Sequence, residues 1–264
     1  LFDAMLPLAT CFVVWWSIWC RRYTWPFRWE RATSLGTGLL GIATLLTSPP
    51  VYSIACAWLY SITHVWNLPY LIAHLLRLGA TGAVVYSAVA KLSDDEEMGC
   101  WATTRLRIPG IVTGVALTAL FVFSKAARNC HNDVITMPVT PFLTAFWVIY
   151  GLAIMYLMYH GIHALIDLWY DPESRLVCNI YMVAAVLMII SMAGRVLIAL
   201  VGDLQTKPMM QLIAAAASLA VCTFAGGAGY SWHRRVRWFG NRRGVQIALM
   251  NERMKRGRPR INGV

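Results

Sequence analysis

The sequence predicts an all-α integral membrane protein. It has seven transmembrane helices, N-terminus outside and C-terminus inside, with a short outer-face helix between spans two and three. Three observations carry this. Hydrophobic residues make up 58% of the 264-residue chain and charged residues 13%, against about 45–50% and about 25% in soluble domains. A soluble fold with so few charges could not wet its surface, and a chain this apolar is neither disordered nor collagen-like. Seven apolar stretches approach the roughly 20 residues that cross a hydrocarbon core. The basic residues, finally, fall mostly on one side of those stretches.

Span one covers residues 6–20 and span two the short stretch 33–47. Span three covers 69–90, span four 109–124, span five 141–163, span six 176–202 and span seven 209–230. Four of them open at or just after a proline, namely Pro69, Pro109, Pro141 and Pro208. Proline suits the first turn of a helix, where its missing N–H is no loss. Residues 51–66 are also apolar, but Ser48-Pro49-Pro50 before them and Asn67-Leu68-Pro69 after them leave almost no loop. They read as a short helix at or dipping into the outer face, with Trp58, Tyr60 and Trp66 as interface residues.

Orientation follows from Lys and Arg. With the N-terminus outside, the inner segments hold Arg21, Arg22, Arg28 and Arg31, then Lys91, Arg105 and Arg107, then Arg175, then ten basic residues after Tyr230. Outside are Lys125, Arg128 and Lys207, and only Arg77 and Arg195 lie within spans. An eighth span would split the first Arg cluster and the basic tail between two sides. The chain divides into a transmembrane domain, 1–230, and a basic cytoplasmic tail, 231–264. The net charge is +11, and the excess of Arg over Lys suggests a GC-rich bacterial genome, and hence a bacterial plasma membrane. No charged n-region, apolar h-region and cleavage site can be read, so a signal peptide is expected to be absent or already removed. Gly110 and Gly114 form a GxxxG in span four, and four alanines at 214–217 with Gly226, Gly227 and Gly229 give span seven a small-residue surface. Such surfaces let helix backbones approach where lipid offers no hydrophobic drive.

Arg77 and Arg195 are the first candidates for function. Each sits roughly 11–12 Å from the outer end of its span at 1.5 Å per residue, and no Asp or Glu lies at that depth in any span. Two cations at one level predict an outward-facing cationic cavity for an anionic headgroup or acid. The alternative is that each snorkels outward or pairs with Asp133 or Asp203. His74, one turn before Arg77, either joins the cavity or is a hydrogen-bonded packing residue.

His160, His163 and Asp167, with Tyr156, share one helical face at offsets of three and four. Two imidazoles and a carboxylate can ligate a divalent metal, with further ligands from Asp94, Asp95, Glu96 and Glu97. The alternative is a polar face near the inner headgroups. Haem would need two histidines at one level on facing helices, and His64 and His74 lie near the outside while His160 and His163 lie near the inside and share one helix. No cofactor is therefore assigned. Span seven contains no Lys, which removes a retinal Schiff base. None of the seven cysteines forms a CxxC, so a dithiol or zinc ribbon is unsupported. Cys56 and Cys130 both fall in outer segments, where an oxidising exterior would let them pair.

The tail places Arg234, Arg235, Arg237, Arg242 and Arg243 beside the membrane. An anionic inner leaflet attracts such a segment by about 1 kcal/mol per basic residue, so anionic lipids are the expected partner, with a membrane protein or a second copy as a further one. No nucleic-acid partner is expected, because no fold for it is visible. No Walker A, GxSxG, HExxH or GxGxxG occurs in a usable context.

Ser48-Pro49-Pro50-Val51, followed by Asn67-Leu68-Pro69-Tyr70-Leu71-Ile72-Ala73-His74-Leu75-Leu76, resembles a group of actinobacterial seven-helix membrane proteins labelled as transporters. The tyrosine-rich fifth span and the Arg-containing sixth look similar too. Members commonly carry a larger inner C-terminal domain, which this chain replaces with a short basic tail. The resemblance implies a seven-helix fold and a transport role. Three functions are thus expected in order. The first is a non-enzymatic transporter or ligand-binding protein using His74, Arg77 and Arg195. The second is an accessory subunit of a larger membrane complex. The third is a metal-dependent membrane enzyme using His160, His163 and Asp167.

Overall fold

The computed structural model describes residues 2–22, 28–92, 95–130, 140–172 and 174–238, with side chains for all of these except 2–4, 28, 29, 95–97, 203 and 234–238. The described residues are helical, without strands. Helices α1 (Phe2–Cys20), α2 (Arg28–Leu46), α3 (Pro49–Thr63) and α4 (Leu68–Val89) come first. They are followed by α5 (Asp95–Ala102), α6 (Ile108–Phe123), α7 (Pro141–Trp169), α8 (Arg175–Leu200) and α9 (Lys207–Trp238). Among the described residues, five stretches are long and apolar enough to cross a membrane: α4, the continuous rod Met98–Phe123, α7, α8 and α9 through His233. A sixth is obtained if the bent pair α2 and α3 counts as one span, and α1 carries a shorter apolar stretch, Met5–Cys20.

Helix packing closes a ring. Helix α1 packs on α2, α2 on α4, α4 on α7, α7 on α8, α8 on α9, and α9 returns to α1. The α5–α6 rod lies outside the ring against α7 and α4, and α3 caps α4 and α2. Pro69, Pro141 and Pro208 open α4, α7 and α9 at one end of the ring, the proline end. Arg21, Glu30, Lys91 and Arg175 mark the other, the arginine end. The start of α1 lies at the proline end and the last turns of α9 at the arginine end.

Helix α2 shows why the chain folds this way. It is the least obvious span because Thr33, Ser34, Gly36, Thr37, Gly41 and Thr44 dilute its apolar content, yet all six are buried. A Cβ at Gly36 would lie 3.0 Å from the Ala80 carbonyl of α4, and one at Gly41 2.7 Å from Val14 of α1. Small residues thus bring three backbones together, as membrane packing favours. The hydroxyls are satisfied within the bundle: Thr37 and Thr44 donate to the carbonyls four residues back, and Thr33 and Ser87 share a 2.5 Å hydrogen bond between α2 and α4. Without water, such internal bonding is what makes buried hydroxyls tolerable.

Three sequence expectations change. Pro109 does not open span four; the helix runs through it as one rod, Met98–Phe123. A π-turn at Thr103–Arg107 precedes it, with the Ile108 N–H bonded to the Thr103 carbonyl five residues back. That wider turn absorbs the donor that proline lacks. The GxxxG of this rod is also unused among the described residues, since Gly110 has open space beside it and Gly114 meets only Leu75 at 3.8 Å. In α9, by contrast, a Cβ at Gly227 would lie 2.6 Å from Ile180 and one at Gly229 2.6 Å from Trp16. Finally, α9 runs on to Trp238, so a boundary at residue 230 falls inside a helix.

The short helix expected at 51–66 is α3, set at 83° to α2. Ile54, Trp58 and Ile62 are exposed on one side, while Tyr52 and Cys56 pack inward. Its connection to α4 uses two left-handed residues, His64 and Asn67, both at φ 57°. Asn67 is fully buried. It accepts from the Tyr52 hydroxyl and donates to the carbonyls of Ala126 at 2.7 Å and Asn129 at 2.9 Å. One amide side chain therefore ties α3, the α4 entry and the segment after α6, and holds the proline end of α4 in place.

Candidate functional site

His74, Arg77 and Arg195 lie on one cavity of about 380 Å³ at the proline end. Helix α4 supplies Tyr70, His74 and Arg77, α7 supplies Trp147 and Tyr150, and α8 supplies Ser191 and Arg195. The first turn of α9 adds Lys207, Met210 and Gln211, while α1 closes the wall with Leu6 and Pro7. Three cations line this space and, among the described residues, no Asp or Glu does. The remaining surface is aromatic and aliphatic, as in pockets that take an apolar body and fix it by a few polar groups.

The two arginines are held differently. Arg77 is half-buried and donates one hydrogen bond, from Nη2 to the Thr47 hydroxyl at 3.0 Å. A guanidinium has five N–H donors and a fixed charge, so this one keeps most of its capacity towards the cavity. Arg195 is buried; it donates from Nη1 to the Met210 sulfur at 3.0 Å, and its guanidinium carbon stands 3.8 Å from the centre of the Trp147 ring. Cation–π contact of that kind stabilises by about 0.5–2 kcal/mol, more when desolvated. The Trp147 indole is 4% exposed and its Nε1 has no hydrogen-bond partner.

His74 is a buried wall residue. Its Nδ1 lies 2.8 Å from the Tyr70 carbonyl, which can only accept, so Nδ1 carries the proton and Nε2 is the acceptor. Rings of Tyr70, Phe146, Trp147 and Tyr150 surround it at 4.3–5.8 Å. The sequence pointed to His74, Arg77 and Arg195 as one group, and the helices bring them to one cavity.

A second cavity, of about 650 Å³, occupies the arginine end. Its charged residues are Arg21, Glu30, Lys91 and Asp171. Arg21 and Glu30 are buried and paired at 2.5 Å, and Lys91 lies 3.6 Å from the other Glu30 oxygen. Arg21 also donates to the Ser34 hydroxyl at 3.1 Å and to the Ala228 carbonyl at 3.3 Å. This cluster joins the ends of α1, α2 and α4 to the later half of α9. Charge counting placed Arg21 as a loop cation and missed the cluster. Glu30 is the only acid between Asp3 and Asp94, and that isolation within an apolar half was the available signal.

The other predicted residues stay apart. Among the described residues, no three His, Cys, Asp or Glu side chains lie close enough to hold a metal. His163 and Asp167 are exposed, and His160 sits among the rings of Trp101, Tyr156 and Tyr159. The acidic side chains of 94–97 lie outside the described residues. His64 is exposed at the end of α3, whereas His74 is buried in α4. Cys56 and Cys130 are free thiols, the first buried and the second exposed. The Cys56 sulfur accepts from the Asn67 N–H at 3.4 Å. Of the tail residues, Arg242 and Arg243 and the side chains of Arg234, Arg235 and Arg237 lie outside the described residues.

No protein-family model matches this chain, and neither a curated protein nor a solved structure is significantly similar to it, so the chemistry of the cationic cavity rests on its own residues.

Proposed function

We propose that this chain is a non-enzymatic polytopic membrane protein, a transporter or ligand-binding protein, that takes a small amphipathic anion into the proline-end cavity. The observation that carries the reading is Arg77: a half-buried guanidinium with one neutral acceptor, on a cavity that three cations and no described carboxylate line. An anionic headgroup would accept from Arg77, with Arg195 and Lys207 adding positive potential. A short hydrocarbon body would lie against Tyr70, Trp147, Tyr150 and Met192.

The topology proposed is seven spans, N-out and C-in, in a bacterial plasma membrane. It is supported by the ring, in which the shorter α1 and α2 stand beside four longer helices, with the α5–α6 rod as the seventh. The excess of basic residues towards the arginine end then puts that end inside, and the basic tail against anionic lipid.

Calorimetric titration of the detergent-purified chain with hexane-1-sulfonate tests the ligand reading. Sulfonate stays charged at all working pH, and hexyltrimethylammonium serves as the cationic counterpart of similar length. Saturable binding of the anion and none of the cation is expected. Equal binding of both would show mere partition into apolar surface and end the proposal.

A second reading, an accessory subunit in a larger membrane complex or a homo-oligomer, is favoured by the α5–α6 rod. Only 11% of its apolar window is buried, and Gly110 faces open space. Purification in mild detergent tests it, with a stoichiometric partner or a second copy expected and a lone monomer counting against it.

A further inference from the structure

The two cavities share four of their lining residues: Leu40 of α2, Thr81 of α4, Met188 of α8 and Val221 of α9. Each comes from a different helix of the ring, and all four sit near mid-helix. One cavity reaches from this waist to the proline end and the other to the arginine end, within a ring closed on itself. Leu40, Thr81 and Val221 are buried and Met188 partly so. The Thr81 hydroxyl donates to the Arg77 carbonyl at 2.9 Å, so it presents no free donor to the path. The waist is therefore an apolar plug between two partly polar chambers.

We infer that the cavities are the two vestibules of one transmembrane path, closed in this structure at Leu40, Thr81, Met188 and Val221, and that the solute crossing it is a small amphipathic anion. The inference rests on the ligand reading for the identity of the solute but not for the existence of the path. Hydrophobic constrictions close a path by excluding water, because an ion cannot shed its hydration shell against aliphatic side chains. Two features suit this waist to opening. Met188 is unbranched and adapts its shape at low cost. The four residues sit inside helices, so changing their rotamers breaks no backbone hydrogen bond. The vestibules also differ as entry and exit should. Arg77 meets the anion at the proline end, whereas at the other end Arg21 and Lys91 already face Glu30. An anion past the waist thus leaves the stronger positive field behind it, and nothing in the second chamber traps it.

The test is efflux of hexane-1-sulfonate from proteoliposomes. The variant carrying Leu40→Ala and Val221→Ala removes two sides of the plug. It is expected to raise efflux about tenfold, which corresponds to about 1.4 kcal/mol off the barrier. Adding Arg77→Gln is expected to reverse that gain, and hexyltrimethylammonium is expected to stay inside. If the widened variant binds hexane-1-sulfonate as the parent does yet leaks no faster, the path is overturned and the ligand reading stands. If the parent chain does not bind hexane-1-sulfonate, the ligand reading falls; chloride leak through the widened variant would still support the path, and its absence would overturn it. Should the double substitution fail to fold, Thr81→Cys replaces it, with the seven-cysteine parent as reference. An anionic thiosulfonate reagent is then expected to reach Cys at that position from either side of the membrane, and reaction from one side only, or from neither, overturns the path.

Discussion

The two cavities are walled by the same ring of helices and differ in how their cations are held. At the arginine end, Arg21 reaches Glu30 at 2.5 Å, Ser34 and the Ala228 carbonyl, and Lys91 leans on the same carboxylate. Its charge is consumed by the chain and fastens the ends of α1, α2 and α4 to α9. At the proline end, Arg77 has one hydroxyl to bond and otherwise faces the cavity. Both arginines line a cavity of the ring, and the presence of a cation alone does not separate them. The difference lies in how many donors the fold itself uses. Where the fold uses them, the arginine is structural; where it leaves them over, the arginine is available to a ligand.

Removing Glu30 should break this comparison most visibly. Glu30→Gln leaves Arg21 buried without its carboxylate, and breaking a buried pair by removing one partner costs about 3–5 kcal/mol. Thermal unfolding in detergent should show that loss, and replacing both members, Arg21→Met with Glu30→Leu, should recover most of it because no lone charge remains. A Glu30→Gln chain as stable as its parent would mean that the pair does not fasten the helices. Next in size is Arg77→Gln. It should weaken hexane-1-sulfonate binding about 10–150-fold, from about 1.5–3 kcal/mol for a hydrogen bond to a charged group, while unfolding shifts little. If Arg77→Gln destabilised like Glu30→Gln and left binding unchanged, the two ends would be alike and the ligand reading would fail.

The wall between α1 and α9 offers a smaller effect. Gly229→Ala would put a methyl 2.6 Å from the Trp16 ring and 3.2 Å from the Ser17 backbone, next to Ala228, whose carbonyl Arg21 grips. Overpacking of that kind costs about 1–3 kcal/mol. Gly110→Ala, which meets nothing within 4 Å, should be neutral or stabilising by up to about 1 kcal/mol from helix propensity. Equal effects at the two sites would show that α9 does not need its small residues to close the ring.

These glycines also mark where the sequence was legible and where it was not. Span seven's small residues were readable because so many cluster in one apolar run, and so were the spans that long apolar runs define. The same signature at Gly110 and Gly114 meets little among the described residues, since spacing tells that a backbone can be approached and not what approaches it. Pro109 misled: its missing N–H suits a helix start, but a π-turn at Thr103–Arg107 accommodates it inside a rod. Arg77, Arg195 and His74 were legible as a group because their depth follows from counting residues. Trp147, which stacks on Arg195, and the waist at Leu40, Thr81, Met188 and Val221 were not. They are ordinary apolar positions in their own helices, and only the ring's closure brings them together. His160, His163 and Asp167 show the converse, a shared helical face that no second helix completes among the described residues.

The smallest effect concerns how Arg77 is positioned. Thr47 stands at the break between α2 and α3; its hydroxyl donates back to Ala43 or Thr44 and accepts from Arg77. Thr47→Val keeps the shape and removes the acceptor. The arginine side chain then has to be ordered by the ligand instead of beforehand, so affinity for hexane-1-sulfonate should fall by about 2–10-fold, the worth of one neutral hydrogen bond at about 0.5–1.5 kcal/mol. Thr47→Ser, which retains the hydroxyl, should bind as the parent does. The direction matters more than the size. A valine variant that binds as tightly as threonine would mean that Arg77 acts as a mobile charge, and the contrast between the ends would then rest on Glu30 alone. A loss restored by serine would show that the 83° turn between α2 and α3 serves the cavity, because it is the turn that sets Thr47 against the guanidinium.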